Sequence, residues 1–249
     1  MKFTGSVLKT KLIATGVHLA MSLVVFAYLA YQIYYHWYPE PYYTIDGGWQ
    51  GMRLVAAVDL VLGPLITFLI FDLAKSRREV IFDLAVILVI QFGALAYGVM
   101  TTYSQRPVAI VLIDEFIISA SEDHYSGSLE SFDVLAEYSD EKPPIIFVDL
   151  PTSREGLDEA NKIKLETGVL EHAQVRFYRK LPGLRAALQE RQHSYQRRLD
   201  ELGGRDKYES WLRENGETHD SVLIARFQGR YGNAWLVFDL DGRYRTYIP

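Results

Sequence analysis

The sequence predicts a membrane protein with three N-terminal transmembrane α-helices followed by a C-terminal α+β domain whose sheet is mainly antiparallel. Charge is segregated along the chain, because residues 1–105 hold 7 Lys/Arg and 6 Asp/Glu whereas residues 106–249 hold 19 and 25. Long apolar runs occupy the first part, and short alternating strands joined by turn signals occupy the second. We therefore expect a three-helix transmembrane domain over 1–105 and an exported domain over 106–249.

Each apolar run is long enough to cross a bilayer. The runs cover about residues 12–35, 54–71 and 84–105. At about 1.5 Å per residue, a helix of roughly 20 residues spans a hydrocarbon core of about 30 Å. The first run is longer than the apolar core of a signal peptide, which is about 7–15 residues, and two more runs follow it. The sequence thus predicts a membrane anchor rather than a cleaved leader.

The positions of Lys and Arg predict the orientation of the helices. Basic residues cluster before the first helix and between the second and third: Lys2, Lys9, Lys11, Lys75, Arg77 and Arg78. The first loop has only Arg53, at its very end. By the positive-inside rule, the N-terminus and the second loop are cytoplasmic. Three crossings then place residues after Arg106 in the periplasm of a bacterium, as part of a multi-pass inner-membrane protein.

An aromatic segment follows the first apolar run. Amphipathic rings prefer the headgroup layer, and two prolines in this segment forbid continued helix. We expect four of these residues to lie at the membrane interface: Trp37, Tyr38, Tyr42 and Tyr43.

Asp59 is an acidic residue within the second apolar run. A carboxylate at membrane depth costs about 2.5–3.5 kcal/mol on insertion scales, so its retention calls for an explanation. Three interpretations are open: Asp59 reaches water or pairs locally, it makes a polar contact to another helix, or it takes part in ion or proton movement.

Small residues mark two helix faces that permit close packing. Gly63-Pro64 allows a bend, Gly63 and Thr67 share one face, and Ala94 and Gly98 share a face of the third helix. These faces pack the three helices together, or they form a groove for a foreign helix. On the second interpretation the partner-binding residues are Asp59, Gly63, Pro64, Thr67, Ala94 and Gly98.

The exported half has an α+β pattern. Two strands or one bulged strand are expected over 108–118, a strand over 145–148 and a short strand near 175–177. A helix capped at Ser153 should end at Gly168, and a long amphipathic helix should end at Gly203-Gly204. Because Gln192 interrupts the apolar stripe of that helix, we expect it to cover a sheet rather than form a coiled coil. Three strands near the C-terminus follow, and we expect the helices to lie on one face of the sheet.

The sequence argues against catalysis. There is no cysteine, no local histidine pair of the zinc-binding type, and no nucleotide-binding or nucleophile motif. Asp239 and Asp241 resemble a metal-binding pair, but Asp241 opens a tight turn where Asp is favoured by geometry. The net charge of −5 excludes a basic nucleic-acid binder. We therefore expect no metal, no cofactor and no enzyme activity.

Several sequence blocks follow one another in a specific order and spacing. In chain order they are His18-Leu19 with Ser22-Leu23; Trp37-Tyr38-Pro39 with Pro41-Tyr42; Asp59 to Leu65; Phe82 to Ile87 with Gln91, Ala94-Leu95 and Tyr97-Gly98; and Arg106-Pro107-Val108. These blocks resemble those of the type IV pilin accessory proteins of the TfpX/TfpZ kind. The turn at 229–232, Gly-Arg-Tyr-Gly, followed by a hairpin, also looks like the end of that family.

This resemblance implies an inner-membrane protein, resident in the lipid bilayer, that binds a cognate type IV major pilin and helps it reach the assembly machine. Other inner-membrane pilus assembly proteins are further possible partners. Two alternatives remain open. A periplasmic sensor would need a cytoplasmic output domain, yet the second loop has only about a dozen residues. A membrane-anchored enzyme modifying pilin or periplasmic glycans would lose activity on substitution of Asp239 or Asp241.

Overall fold

The computed structural model describes residues 5–71, 75–125, 129 and 131–249, so Lys2 of the basic N-terminal segment lies outside the described residues. The chain divides into two compact units. The helical unit consists of Met1–Tyr43 and Gly47–Ser104, and the sheet unit consists of Thr44–Asp46 and Gln105–Pro249. Three residues of the first interhelical loop thus belong to the sheet unit.

The helical unit contains three long apolar helices, as the sequence predicts. Helix α1 is Gly5–Gln32 and continues as a π-helical turn, Ile33–Trp37. Helix α2 is Gly48–Ile70, and helix α3 is Arg77–Ser104. By length and composition, Val7–Trp37, Gly48–Ile70 and Arg77–Ser104 are each able to cross a membrane. A one-turn helix, Tyr42–Ile45, lies between α1 and α2.

Helix α2 is irregular in its middle. Residues Ala57–Leu62 form a π-helical segment, in which the Gly63 N–H donates to the carbonyl of Val58, five residues earlier. Pro64 explains this irregularity. It has no N–H, and in a regular α-helix its ring would clash with the carbonyl four residues before it. The wider π turn relieves this clash and reorients the side chains of the segment, among them Asp59.

The sheet unit contains one seven-stranded sheet in the order β4-β3-β1-β2-β5-β6-β7. The β1–β3 and β2–β5 pairs are parallel and the other four are antiparallel, which confirms a mainly antiparallel sheet. The strands are β1 (Pro107–Ile113), β2 (Phe116–Ser121), β3 (Ile145–Val148), β4 (Tyr178–Arg179), β5 (Leu223–Gln228), β6 (Asn233–Phe238) and β7 (Tyr244–Ile248).

Three longer helices accompany this sheet: α4 (Arg154–Thr167), α5 (Gly183–Glu201) and α6 (Arg205–Asn215). The predicted limits of α4 are confirmed, because the Ser153 hydroxyl accepts from the Gly156 N–H and Gly168 ends the helix with φ 77°. The chain does not remain irregular after Gly203-Gly204, as α6 begins at once. The short strand expected at 175–177 is wrong in position. Val175–Phe177 is a 3₁₀ turn, and β4 starts at Tyr178.

Both faces of the sheet are covered, which corrects the expectation of helices on one face. Ala109, Ile110, Val111 and Leu112 of β1 are all 0% exposed, although alternate residues point to opposite faces. Ala109 and Val111 belong to the core cluster that contains Ala160 of α4. On the opposite face Leu112 pairs with Phe147, and the Arg191 guanidinium of α5 lies over the Phe147 ring. An uninterrupted apolar run is typical of a strand buried on both sides.

Gln192 completes the edge of β5. Its amide donates to the Ile224 carbonyl at 2.8 Å and accepts from the Ile224 N–H at 3.0 Å, as a neighbouring strand would. The strand β2 pairs with β5 only at Phe227 and Gln228. On this side of β5, Gln192 of α5 is therefore the partner of the Ile224 N–H and carbonyl. The interruption of the apolar stripe therefore serves sheet packing.

We expect Gln192→Ala to lower the free energy of unfolding of the sheet unit by about 1–2 kcal/mol, since both backbone groups of Ile224 lose this partner. Hydrogen exchange at the Ile224 amide should become faster. The exposed Gln189 of the same helix provides the matched control, because Gln189→Ala should leave that exchange rate unchanged. Equal effects of the two substitutions would contradict the role assigned to Gln192.

Candidate functional site

A polar cluster lies inside the helical unit around Asp59. Asp59 is only 3% exposed, and its Oδ1 accepts two hydrogen bonds. One comes from the Ser22 hydroxyl of α1 at 2.9 Å, and the other from the Gln91 amide of α3 at 3.1 Å. Of the three interpretations of Asp59, the geometry matches a polar contact to another helix, and in fact to both other helices.

The cluster is incompletely satisfied. Within the described part of the chain, neither Asp59 Oδ2 nor Gln91 Oε1 has a hydrogen-bond partner, although both atoms are buried. Buried polar atoms without partners are costly, and the cost is larger for a charged group. We infer that the cluster specifies the register of the three helices, because a shift of one helix along another would separate Ser22 or Gln91 from Asp59.

Gly63 and Thr67 make room for these contacts. A side chain at Gly63 would overlap the Gln91 amide, so glycine is needed for Gln91 to reach Asp59. One turn further along α2, Thr67 Oγ1 lies 2.6 Å from Nδ1 of His18, within hydrogen-bonding distance. Gly63 thus permits a contact between α2 and α3, and one turn away Thr67 makes a polar contact between α2 and α1.

Lys11 ends this row of polar contacts. It is 3% exposed, and its ammonium donates to the carbonyls of Phe68 at 3.2 Å and Leu69 at 3.1 Å. These carbonyls belong to the last turn of α2, where the helix dipole favours a cation. From the sequence, Lys11 is predicted only to mark the cytoplasmic side of the membrane.

Sequence reasoning missed the partners on α1, although a signal for them exists. Lys11, Thr15, His18 and Ser22 are spaced by four, three and four residues, which places them on one face of α1. A polar stripe at helical spacing within an apolar run indicates an inward-facing side. That spacing could have predicted that this side of α1 faces another helix, but not the pairing of Lys11, His18 and Ser22 with particular residues of α2.

The residues of the third-helix face also lie within the unit. Gly98 is buried against Leu54, and the Thr102 hydroxyl donates to the Gly98 carbonyl at 2.8 Å. A side chain at Gly51 would overlap Thr102, so α2 and α3 approach closely there. Pro64 is buried and Ala94 is half-buried. A direct contact of these predicted residues with a foreign helix stays a prediction.

The four predicted interfacial aromatics have different environments. Tyr38 and Tyr42 are 1% and 4% exposed, and the Tyr38 hydroxyl donates to the Thr102 carbonyl at 3.0 Å. Trp37 is half-buried and packs edge-on against Tyr103. Tyr43 is half-buried and packs edge-on against other rings of the unit. Their role at a membrane interface stays a prediction.

The polar cluster consists of one carboxylate with a hydroxyl and an amide as its hydrogen-bond donors. Across the described residues, no group of three or more His, Cys, Asp or Glu side chains is arranged to hold a metal ion.

In the sheet unit, the Asp239 carboxylate accepts from the N–H groups of Asp241 and Arg243 at 2.9 Å each. Asp239 therefore stabilises the β6–β7 turn, in which Gly242 has φ 83°.

Comparison with known proteins identifies the family. The family profile described as "Fimbrial assembly protein FimB" matches residues 6–47. A fimbrial assembly protein of Dichelobacter nodosus, serogroups C1 and C2, is 40% identical over 97 residues, which are 39% of this chain and 74% of the relative. Those of serogroups I and E1 are 40% and 39% identical over 97 residues, and the match covers 38% of each. No solved structure matches the chain. The chain thus belongs to the FimB family of fimbrial assembly proteins.

Proposed function

We propose that this protein is a non-catalytic accessory protein of the inner membrane that binds a cognate type IV pilin and promotes or modulates pilus assembly. The observation that carries the proposal is the 97-residue match to fimbrial assembly proteins in a chain with three apolar helices. A type IV pilin awaiting assembly has a long apolar helix in lipid and a globular head outside. A chaperone-like helper for it needs an embedded surface and an external one.

The embedded surface on this proposal is the outward side of the helical unit. Asp59, Gly63, Pro64, Thr67 and Gly98 act from inside, because they fix the register and spacing of the helices that form the surface. Ala94 is half-buried and borders the exposed side of α3. Dispersion rather than water drives helix association in lipid, so a surface of fixed shape favours one partner helix over others.

A contact inside the sheet unit supports the proposed topology. The Tyr231 N–H donates to the Ile45 carbonyl at 2.9 Å, which joins the loop between α1 and α2 to the region after α3. On this proposal the two regions lie on the same side of the membrane, an arrangement that three crossings would produce. The positive-inside rule supports the periplasm as that side.

Site-specific photo-crosslinking in membranes that contain the pilin tests the proposal. A photoreactive residue should be placed in turn at exposed positions on opposite flanks of α3, Phe92 and Tyr97, each 72% exposed. We expect one flank to crosslink the pilin much more strongly than the other. Position 98, which is buried against Leu54, tests the sequence prediction for Gly98, because crosslinking only within the chain would assign that residue to helix packing. Labelling of the pilin no stronger than that of an unrelated single-span protein would reject the proposal.

A further inference from the structure

The segment Thr44–Asp46, here called the strap, is bound by the turn at 229–232 between β5 and β6. The Tyr231 N–H donates to the Ile45 carbonyl, and the Arg230 N–H donates to Asp46 Oδ1 at 3.0 Å. The turn itself is closed by a hydrogen bond from the Gly229 N–H to the Gly232 carbonyl at 2.8 Å. A backbone turn therefore recognises a peptide segment that is about 180 residues away in sequence.

The two glycines of the turn are required by the approach of the strap. A Cβ atom at Gly229 would lie 2.5 Å from the Ile45 carbonyl oxygen, which is closer than a real Cβ approaches another atom. A Cβ atom at Gly232 would lie 3.4 Å from the Ile45 Cβ. Any side chain at 229 thus competes directly with the docked strap, whereas a Cβ atom at 232 would make a tight contact, 3.2 Å from Ile45 Cγ2, that a small shift of the side chain relieves.

Asp46 is the polar residue of the strap, and its environment is unfavourable for a charge. It is 0% exposed, and among the described residues Oδ2 has no hydrogen-bond partner. Burial raises the pKa of Asp46 above its usual value, although the Ser119 hydroxyl, the Arg230 backbone and charge and the nearby His124 oppose this shift. A docked strap with an ionised Asp46 therefore retains an incompletely compensated charge.

His124 is the titratable side chain near Asp46, and His172 lies behind it. The His124 ring packs edge-on against the His172 ring, with centroids 5.0 Å apart. Burial is the main cause that lowers the pKa of both histidines, to about 4 for His172. Arg230 lowers the pKa of His124 further, and Asp123 opposes this, as Glu171 does for His172. Asp46 in turn raises the pKa of His124, so Asp46→Asn removes that contribution and lowers the pKa of His124 further.

We propose that the strap is a charge-gated latch, which the turn at 229–232 binds reversibly and which closes more tightly when Asp46 carries no charge. The docked state keeps the hydrogen bond from Arg230 in both forms, but only the ionised form carries the cost of a buried charge. Because the pKa of Asp46 is raised in the docked state, docking is weakest above that pKa, where Asp46 is ionised in both states, and it strengthens as the pH falls through that pKa towards the lower pKa of the undocked residue. Peptide bonds join the strap to Tyr43 and Gly47, so opening the latch frees the loop between α1 and α2.

A disulfide between strap and turn measures closure in the full-length chain. The protein contains no cysteine, and the 3.4 Å separation of the two Cβ positions is close to that of natural disulfides, about 3.5–4.5 Å. The pair Ile45→Cys and Gly232→Cys should therefore oxidise readily in purified protein held in lipid nanodiscs. The initial rate of oxidation reports the docked fraction.

Asp46→Asn added to this pair should increase the oxidation rate severalfold at pH 7. The ratio of the two rates, each divided by the rate of alkylation of the cysteine at position 45 in the denatured protein, should be smallest at acid pH and grow as the pH rises. The division removes the effect of the neighbouring carboxyl on thiol reactivity. Gly229→Ala should lower the rate severalfold. Gly93→Ala is the matched control and should change nothing, since a Cβ there meets no atom within 4 Å.

Hydrogen exchange at the Tyr231 amide provides a second readout without the cysteines, and Asp46→Asn should slow it. Protection of the β1 amides in the same experiment verifies that each variant is folded. An unchanged or lower oxidation rate in Asp46→Asn, or an unchanged rate in Gly229→Ala, would overturn the latch. None of these outcomes depends on whether the protein binds a pilin, so the latch and the proposed function fail separately.

Discussion

Asp59→Ala is expected to lower the free energy of unfolding of the helical unit by about 2–3 kcal/mol. The substitution leaves the Ser22 hydroxyl and the Gln91 amide without their acceptor in an apolar interior, and it removes the only described contact that joins all three helices at one atom. Hydrogen exchange of the α2 amides in lipid nanodiscs measures this loss, because those amides should exchange faster throughout the π-helical segment.

Val61→Ala is the matched control for Asp59. Val61 lies in the same π-helical segment but is 61% exposed, so its truncation should change the exchange by less than about 0.5 kcal/mol. A double-mutant cycle with Ser22→Ala separates the pair from the rest of the cluster. Strictly additive effects of Ser22→Ala and Asp59→Ala would show that their hydrogen bond does not stabilise the unit.

Leu188→Ala is expected to lower the free energy of unfolding of the sheet unit by about 2–5 kcal/mol. Leu188 is 0% exposed on α5, the helix that covers the second face of the sheet. Its truncation removes buried methyl groups and leaves a cavity that the surrounding strands fill only in part. Hydrogen exchange of the β5 amides, compared between the substituted and the unsubstituted protein, measures this loss of stability.

Leu165→Ala is the corresponding exposed substitution. Leu165 lies on α4, is 86% exposed, and its replacement by Ala should leave stability within about 0.5 kcal/mol. If Leu188→Ala were as mild as Leu165→Ala, α5 would not cover the sheet as described. The comparison thus tests the finding that the sheet is covered on both sides.

Local sequence signals predicted several elements correctly because their causes are local. Apolar runs of sufficient length predicted three helices, since a backbone in lipid must satisfy its hydrogen bonds within the helix. Ser153 and Gly168 predicted the limits of α4, as the cap and the left-handed residue act within one turn. Asp241-Gly242 predicted the last hairpin for the same reason, because the φ of 83° at Gly242 is available to glycine at little cost.

The candidate site was predicted only in part. The sequence singled out Asp59, Gly63 and Thr67 from their types and spacing, but it left their partners open. His18, Ser22 and Gln91 became identifiable only when the helices were packed, because a helical pattern fixes which residues share a face and not which helix that face meets. The same limit applies to Gln192, whose partner Ile224 is 32 residues away.

By itself the sequence determined the number of apolar helices, the change to an α+β pattern after them and the turns that depend on one or two residues. These follow from backbone geometry and from the free energy of burying apolar surface, both of which act over short stretches of chain. Only the tertiary structure decided that Asp59 joins α1 to α3, that both faces of the sheet are covered, and that Thr44–Asp46 belongs to the sheet unit. Such contacts depend on residues far apart in sequence, and their energies arise only when packing removes the polar groups from water.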